Sequence, residues 1–111
     1  MISNQRIALY TTVYPSVEKY MLAWYNSVAN QADQDFDIWI GVDGLTKAAV
    51  TTAIGEEIAA KWVFAAAGMT PAQVRQAAFI QIVSQYAAVV FVDSDDVLAV
   101  SRVAAAREAL R

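Results

Sequence analysis

Four apolar runs of strand length punctuate the chain, at residues 7–13, 36–42, 62–66 and 88–92. Each is followed by a stretch with helical spacing. Val17, Tyr20, Met21, Trp24 and Val28 recur on one face of a 3.6-residue period. Val50, Ala53, Ile54 and Ile58 repeat that pattern, although Gly55 interrupts it. Thr70-Pro71-Ala72-Gln73 is a helix start: Thr70 can cap, Pro71 suits the first helical position, and Gln73 can complete a capping box. A last helix is expected to begin near Asp95 or Asp96, with Val97, Val100, Val103 and Ala104 on one side. The fourth run, Val89-Val90-Phe91-Val92, is apolar without alternation, as in strands buried on both faces of a parallel sheet.

The alternation βαβαβαβα predicts an α/β fold, a doubly wound and mainly parallel sheet with helices on both faces. Its crossovers are expected to be right-handed. Ligands of such sheets bind beyond the carboxyl ends of the strands, where strand order reverses. Attention therefore falls on Thr12 and Tyr14, on Asp43, on Ala67 and Gly68, and on Asp93 to Asp96. The 111 residues suffice for a single domain, and no internal repeat or linker divides them.

Composition narrows the chemistry. The chain is 58% hydrophobic and 17% charged, too apolar for disorder. No apolar run approaches the ~20 residues of a membrane span. The opening Met-Ile-Ser-Asn-Gln-Arg does not read as a secretory leader, so the expected location is the cytoplasm. With no cysteine and no histidine, disulfides, thiolate metal sites and the usual general base are excluded. Any metal must be held by oxygen, which favours Mg²⁺ or Mn²⁺. Net charge is −3 with scattered basic residues, which disfavours nucleic acid as a partner. Asp33, Asp35 and Asp37 read most simply as a solvated loop.

Asp93-Ser94-Asp95-Asp96 follows the fourth run directly. One Asp would serve a turn or a helix cap. Three carboxylates in four residues repel one another unless a cation lies among them. Mg²⁺ takes one or two protein carboxylates and completes its shell with phosphate oxygens and water. Asp93 and Asp95 are therefore candidate metal ligands, and Asp96 is assigned to capping. Asp43-Gly44 reads well as a Gly-assisted turn into the next helix, and its alternative role is as an acceptor for a nucleobase N–H. Arg75, expected on the first turn of its helix, serves as a solvated cation or as a nucleotide contact.

The collinear pieces Asn26-Ser27-Val28-Ala29-Asn30-Gln31, Asp35-Phe36-Asp37-Ile38 and Val42-Asp43-Gly44 resemble the family 2 glycosyltransferase signature S-V-x-x-Q, D-F-E-I, D-D-G-S. Thr12-Val13-Tyr14-Pro15 is similar to that family's P-T-Y-N, Arg75-Gln76 to its A-R-N, and Val92-Asp93-Ser94-Asp95-Asp96 to its L-D-S-D-D. The resemblance spans nearly the whole chain. It implies the nucleotide-sugar-binding half of a GT-A fold, with strand order 3-2-1-4. It further implies transfer of a sugar from a nucleotide-sugar, by expectation a UDP-sugar, to an unknown acceptor with Mn²⁺ or Mg²⁺. Thr12 and Tyr14 would contact the base, Asp43 would bind it, and Arg75 would support the nucleotide. Asp93 would serve ribose and metal, with Asp95 the better direct ligand.

Val42 and Leu45 depart from D-D-G-S, as do Pro15 and Gln76 from their motifs. The acceptor site and catalytic base of that family are expected beyond Arg111, so these residues read as a donor-binding portion inactive by itself. Further strands in the family extend the sheet past strand four, which implies an exposed edge here and a homodimer through it. The alternative function is a non-catalytic nucleotide-binding or interaction module. A haloacid-dehalogenase-like phosphatase matches D-x-D-x-[TV] at Asp93 to Val97, but that motif normally opens its fold. A Rossmann dehydrogenase lacks its G-x-G-x-x-G here.

Overall fold

The computed structural model describes residues 5–111, so part of the N-terminal segment tested above for a secretory leader lies outside the described residues. The elements run β1 (Ile7–Val13), α1 (Glu18–Ala29), β2 (Asp37–Val42), α2 (Lys47–Ile54), β3 (Ala60–Phe64), α3 (Pro71–Val83), β4 (Ala88–Phe91) and α4 (Arg102–Glu108). All strand pairs are parallel, in the order β3-β2-β1-β4. The expected doubly wound α/β sheet is thus present, strand order included.

Period-2 alternation along β1 splits the core in two. Ile7, Leu9 and Val13 face one way and pack with Met21, Trp24 and Val28 of α1, Val50 and Ile54 of α2, and Val103 of α4. Ala8 and Tyr10 face the other way and pack with Trp39 of β2, Ala78 and Ile82 of α3, and Tyr86. Helices therefore cover both faces, and β1, flanked by strands on both sides, is buried at nearly every position.

Local signals place most helix ends. Thr70 caps α3 with both bonds of the capping box, Gln73 N–H to Thr70 Oγ1 at 3.2 Å and Thr70 N–H to Gln73 Oε1 at 2.8 Å. Gly55 ends α2 in the left-handed region at φ 93°, a conformation glycine adopts without a Cβ penalty. Ile58 therefore lies beyond α2 and not on it, a correction to the expected pattern.

Four further expectations are corrected. β3 sits two residues earlier than the apolar run at 62–66, because its register is set by β2, with Ile38 opposite Ala60 and Val42 opposite Phe64. β4 is not buried on both faces: Val90 is 1% exposed but Phe91 is 47% exposed, since β4 is the edge strand. The last helix starts at Arg102 and not near Asp95; residues 93–101 form turns and irregular backbone. Asp96 accordingly caps no helix, and its Oδ1 accepts from the next residue, Val97 N–H, at 3.0 Å. Finally, Asp33 and Asp37 are not simply solvated. Asp33 pairs with Arg107 at 2.6 Å, and Asp37 accepts from Arg6 and from the Tyr86 hydroxyl.

Candidate functional site

A cleft of about 300 Å³ opens at the carboxyl ends of β1 and β4, where the strand order reverses. Its lining combines Tyr10, Thr12 and Tyr14 from β1 and the turn after it, Pro71, Ala72 and Arg75 from α3, and Phe91, Asp93 and Ser94 from β4 and its turn. Four of the residues singled out in the sequence, Thr12, Tyr14, Arg75 and Asp93, thus converge on one cavity. They come from positions up to 81 residues apart, and the sheet register brings them together: Tyr10 lies opposite Phe91, so the chain after each strand emerges at the same edge. The hydroxyl of Ser94, a buried residue, donates to the Thr12 carbonyl at 2.8 Å and ties the two turns.

The walls differ in character. Tyr14 and Phe91 expose ring surface, at 36% and 47%. The N-terminal turn of α3 contributes Pro71 and Ala72, and this end of a helix carries partial positive charge. Arg75 lies one turn into α3, slightly further along than expected. Among the described residues neither Arg75 nor Asp93 is engaged in a side-chain ion pair. A cation and an anion thus face one cavity with their charges available to a ligand.

Asp43 and Asp95 stand apart from this lining. Asp43, half-buried, follows β2 at the same end of the sheet, its N–H bonded to the Val13 carbonyl at 2.9 Å. Its neighbour Gly44 takes a φ of 73° against Pro15, which places the Asp43 turn beside the turn after β1 rather than inside the cleft. Asp95 is exposed, two residues beyond Asp93. Among the described residues no three His, Cys, Asp or Glu side chains gather as a ready-made ion site.

The turn holding Asp93 and Asp95 is followed by a segment fastened to α1. Ser27 Oγ accepts from Leu98 N–H at 3.0 Å and donates to the Trp24 carbonyl at 2.7 Å. Gln31, 4% exposed, donates to the Ala99 carbonyl at 2.8 Å and accepts from Val103 N–H at 3.0 Å. The Ala32 N–H reaches the Val100 carbonyl at 2.9 Å. In this structure, then, the Ser-Val-x-x-Gln spacing, which runs from the last turn of α1 to just past its end, serves to hold the chain that leaves the acidic turn.

Sequence reasoning missed Tyr10, Ser94 and the α3 lining residues Pro71 and Ala72. Ser94 carried a signal, lying inside the acidic motif; Tyr10 read only as one apolar residue in a buried strand.

No protein-family model matches the chain, and no curated protein matches it either. Among solved structures, a crystal structure of S. aureus TarS 1–349, a glycosyltransferase, matches with a TM-score of 0.75 and 22% sequence identity. The match covers 94% of this chain and 32% of the TarS chain, so this chain spans about a third of that structure's length. The four-stranded sheet ordered 3-2-1-4 with its helices is therefore a Rossmann-like α/β fold of the kind found in a glycosyltransferase.

Proposed function

We propose that the cleft binds the donor of a glycosyl transfer, a nucleotide-sugar and by preference a UDP-sugar, with a divalent cation at the Asp93 turn. The observation that carries this reading is the convergence of Thr12, Tyr14, Arg75 and Asp93 on one cavity at the switch point of a glycosyltransferase-like fold. Tyr14 and Phe91 offer ring surface to a base or ribose. Arg75 and the first turn of α3 favour a diphosphate. Asp93, with Asp95 on the same turn, would hold Mn²⁺ or Mg²⁺, which would neutralise charge on a departing diphosphate. Asp43, one strand over, is assigned to the far edge of the base. The acceptor is unknown, and the setting is taken as cytoplasmic; no helix among the described residues is long and apolar enough to cross a membrane.

A second reading has one observation in its favour. Among the described residues Asp93 is the only carboxylate lining the cleft, and this reading already assigns it to the metal. With no histidine in the chain, no other carboxylate or imidazole among the described lining residues is left to act as general base. These residues by themselves then bind the donor without turning it over. The exposed edge of β4 further supports self-association of two copies through that strand.

Calorimetric titration of UDP with and without Mn²⁺ tests the donor reading. Mn²⁺ is expected to tighten UDP at least several-fold, because the ion's open positions take phosphate oxygens. Asp93→Ala and Asp95→Ala are each expected to remove that gain, whereas Arg75→Met weakens UDP with or without the ion. A metal-dependent gain that survives both Asp substitutions would overturn the metal assignment. No UDP binding at all would overturn the donor reading.

A further inference from the structure

Tyr10 is 1% exposed, yet its hydroxyl reaches the floor of the cleft and lies 2.8 Å from Thr12 Oγ1. The two side chains share a face of β1, two residues apart. In the register with β2, Thr12 lies opposite Gly41. The Tyr10 ring leans along the strand so that its oxygen comes to rest over Gly41. A Cβ at position 41 would fall on the Tyr10 hydroxyl and would approach Val74 Cγ1 of α3 to 2.9 Å. Gly41 therefore supplies space, and it is the missing side chain that matters. The ring is held on its other side by an edge contact with Phe91 at 6.0 Å between centroids.

We propose that Tyr10 is a positioning residue that turns Thr12 into the hydrogen-bond donor of the cleft, and that position 41 is glycine to admit the phenol. Which hydroxyl donates follows from the surroundings. A phenol is the stronger donor and an aliphatic hydroxyl the stronger acceptor, and among the described residues Thr12 is the one hydrogen-bond partner of the part-buried phenol oxygen. Were Thr12 to donate, the phenol proton would have no protein acceptor among the described residues. The phenol therefore donates, and Thr12's own proton is left for an acceptor in the cavity. Burial also pushes the Tyr10 phenol above its ordinary value. The ligand group that fits is an uncharged or anionic oxygen: a base carbonyl, a ribose oxygen or a phosphate oxygen. This inference rests on the donor reading above and adds to it a specificity-determining pair, Tyr10 and Thr12, with Gly41 as its structural condition.

The experiment is a double-mutant cycle on UDP affinity, measured by calorimetry on the whole chain with Mn²⁺ present, alongside thermal melting of every variant. Tyr10→Phe keeps the ring and removes the proton that orients Thr12; it is expected to weaken UDP about five-fold. Thr12→Val is expected to weaken UDP at least as much. The decisive variant is the double substitution, expected to bind no more weakly than Thr12→Val alone, because Tyr10 acts only through the Thr12 hydroxyl. Thr12→Ser, which retains a hydroxyl, is expected to restore the sensitivity to Tyr10→Phe. A merely structural Tyr10 would lower stability equally in all backgrounds and leave no such coupling. Gly41→Ala is expected to lower both melting temperature and UDP affinity, with part of the melting loss recovered by Tyr10→Phe. If Gly41→Ala does not fold, the Tyr10–Thr12 cycle decides alone. Wild-type binding that Tyr10→Phe leaves unchanged, or strictly additive losses in the cycle, would overturn this inference and leave the donor reading standing. A wild-type chain that binds no UDP would overturn both.

Discussion

A hydroxyl without a partner sits directly beneath the cleft. Thr11 is 1% exposed and its Oγ1 has no hydrogen-bond partner among the described residues, while its neighbours on that face are Leu9 and Val13. Replacing it with the near-isosteric valine removes the buried polar atom and keeps the β-branched shape. Thr11→Val is expected to stabilise the fold by about 1 kcal/mol in denaturant unfolding. Gln31 presents the opposite case, a buried amide with partners at both ends. Gln31→Leu would leave the Ala99 carbonyl and the Val103 N–H unmatched, so a loss of roughly 2–4 kcal/mol is expected from the same measurement. The Asp33 carboxylate is held below its ordinary 3.8 by the Arg107 guanidinium and then by the Asp35 N–H. A depressed carboxylate stabilises the fold fully above its unfolded value, and that contribution is lost as pH falls through the folded one. Stability from this pair should therefore persist at neutral pH and decline below 3.8. Arg107→Met should flatten that acid limb; an unaltered slope would remove the pair from the account. Of the residues that the sequence exposed as chemistry, Thr12, Tyr14, Arg75 and Asp93 line the cleft, and Asp43 and Asp95 do not; all were picked out by lying at or near strand or helix ends, where position alone suggests a ligand. Tyr10 and Gly41 were invisible because their relation exists only across the β1–β2 register, which no local spacing encodes.

At the scale of elements, legibility followed locality. The capping box of α3 and the apolar face of α1 are written in consecutive residues, and both elements form where expected. The start of α4 was not legible for an identifiable reason. Val97, Val100 and Val103 have helical spacing, but Ser27 and Gln31 take up the backbone groups of Leu98, Ala99 and Val103. Those bonds satisfy the backbone without a helix, and the segment stays irregular until Arg102. β4 poses a separate question. As an edge strand it presents unpaired N–H and C=O groups, with Phe91 exposed beside them and no Lys or Pro within it. Light scattering across a dilution series is expected to show a concentration-dependent dimer, and Phe91→Lys to shift it to monomer. Val90 is the wrong site for that test, since it is 1% exposed and its replacement would disturb the core. A wild-type monomer at every concentration would contradict self-association through this strand.

The whole molecule is a sheet whose carboxyl end carries the cleft and whose opposite end is closed by a different kind of network. There Arg6 stacks on Tyr86 at 4.6 Å, and the Tyr86 hydroxyl, which also accepts from Trp39, donates to Asp37. A second cavity lies at that opposite end, between Tyr25, Phe36, Asp37 and Lys61. Fold class was legible because alternation of strands and helices admits few topologies, whereas the strand order was implied by the family resemblance. The cleft lies at the switch point, where the topology directs attention. The purified chain is expected to bind UDP yet to show no acceptor-dependent release of UDP from UDP-sugars, since Asp93 is the one carboxylate lining the cleft among the described residues; sustained turnover would contradict that. The central claim is that a nucleotide occupies the β1–β4 end of this sheet. Amide chemical-shift mapping of the ¹⁵N-labelled chain during a UDP titration with Mg²⁺ tests it most directly. The account predicts that the largest shifts cluster at Thr12, Tyr14, Ala72, Arg75, Asp93 and Ser94. Shifts concentrated at Phe36, Asp37 and Lys61, or none at saturating UDP, would contradict it.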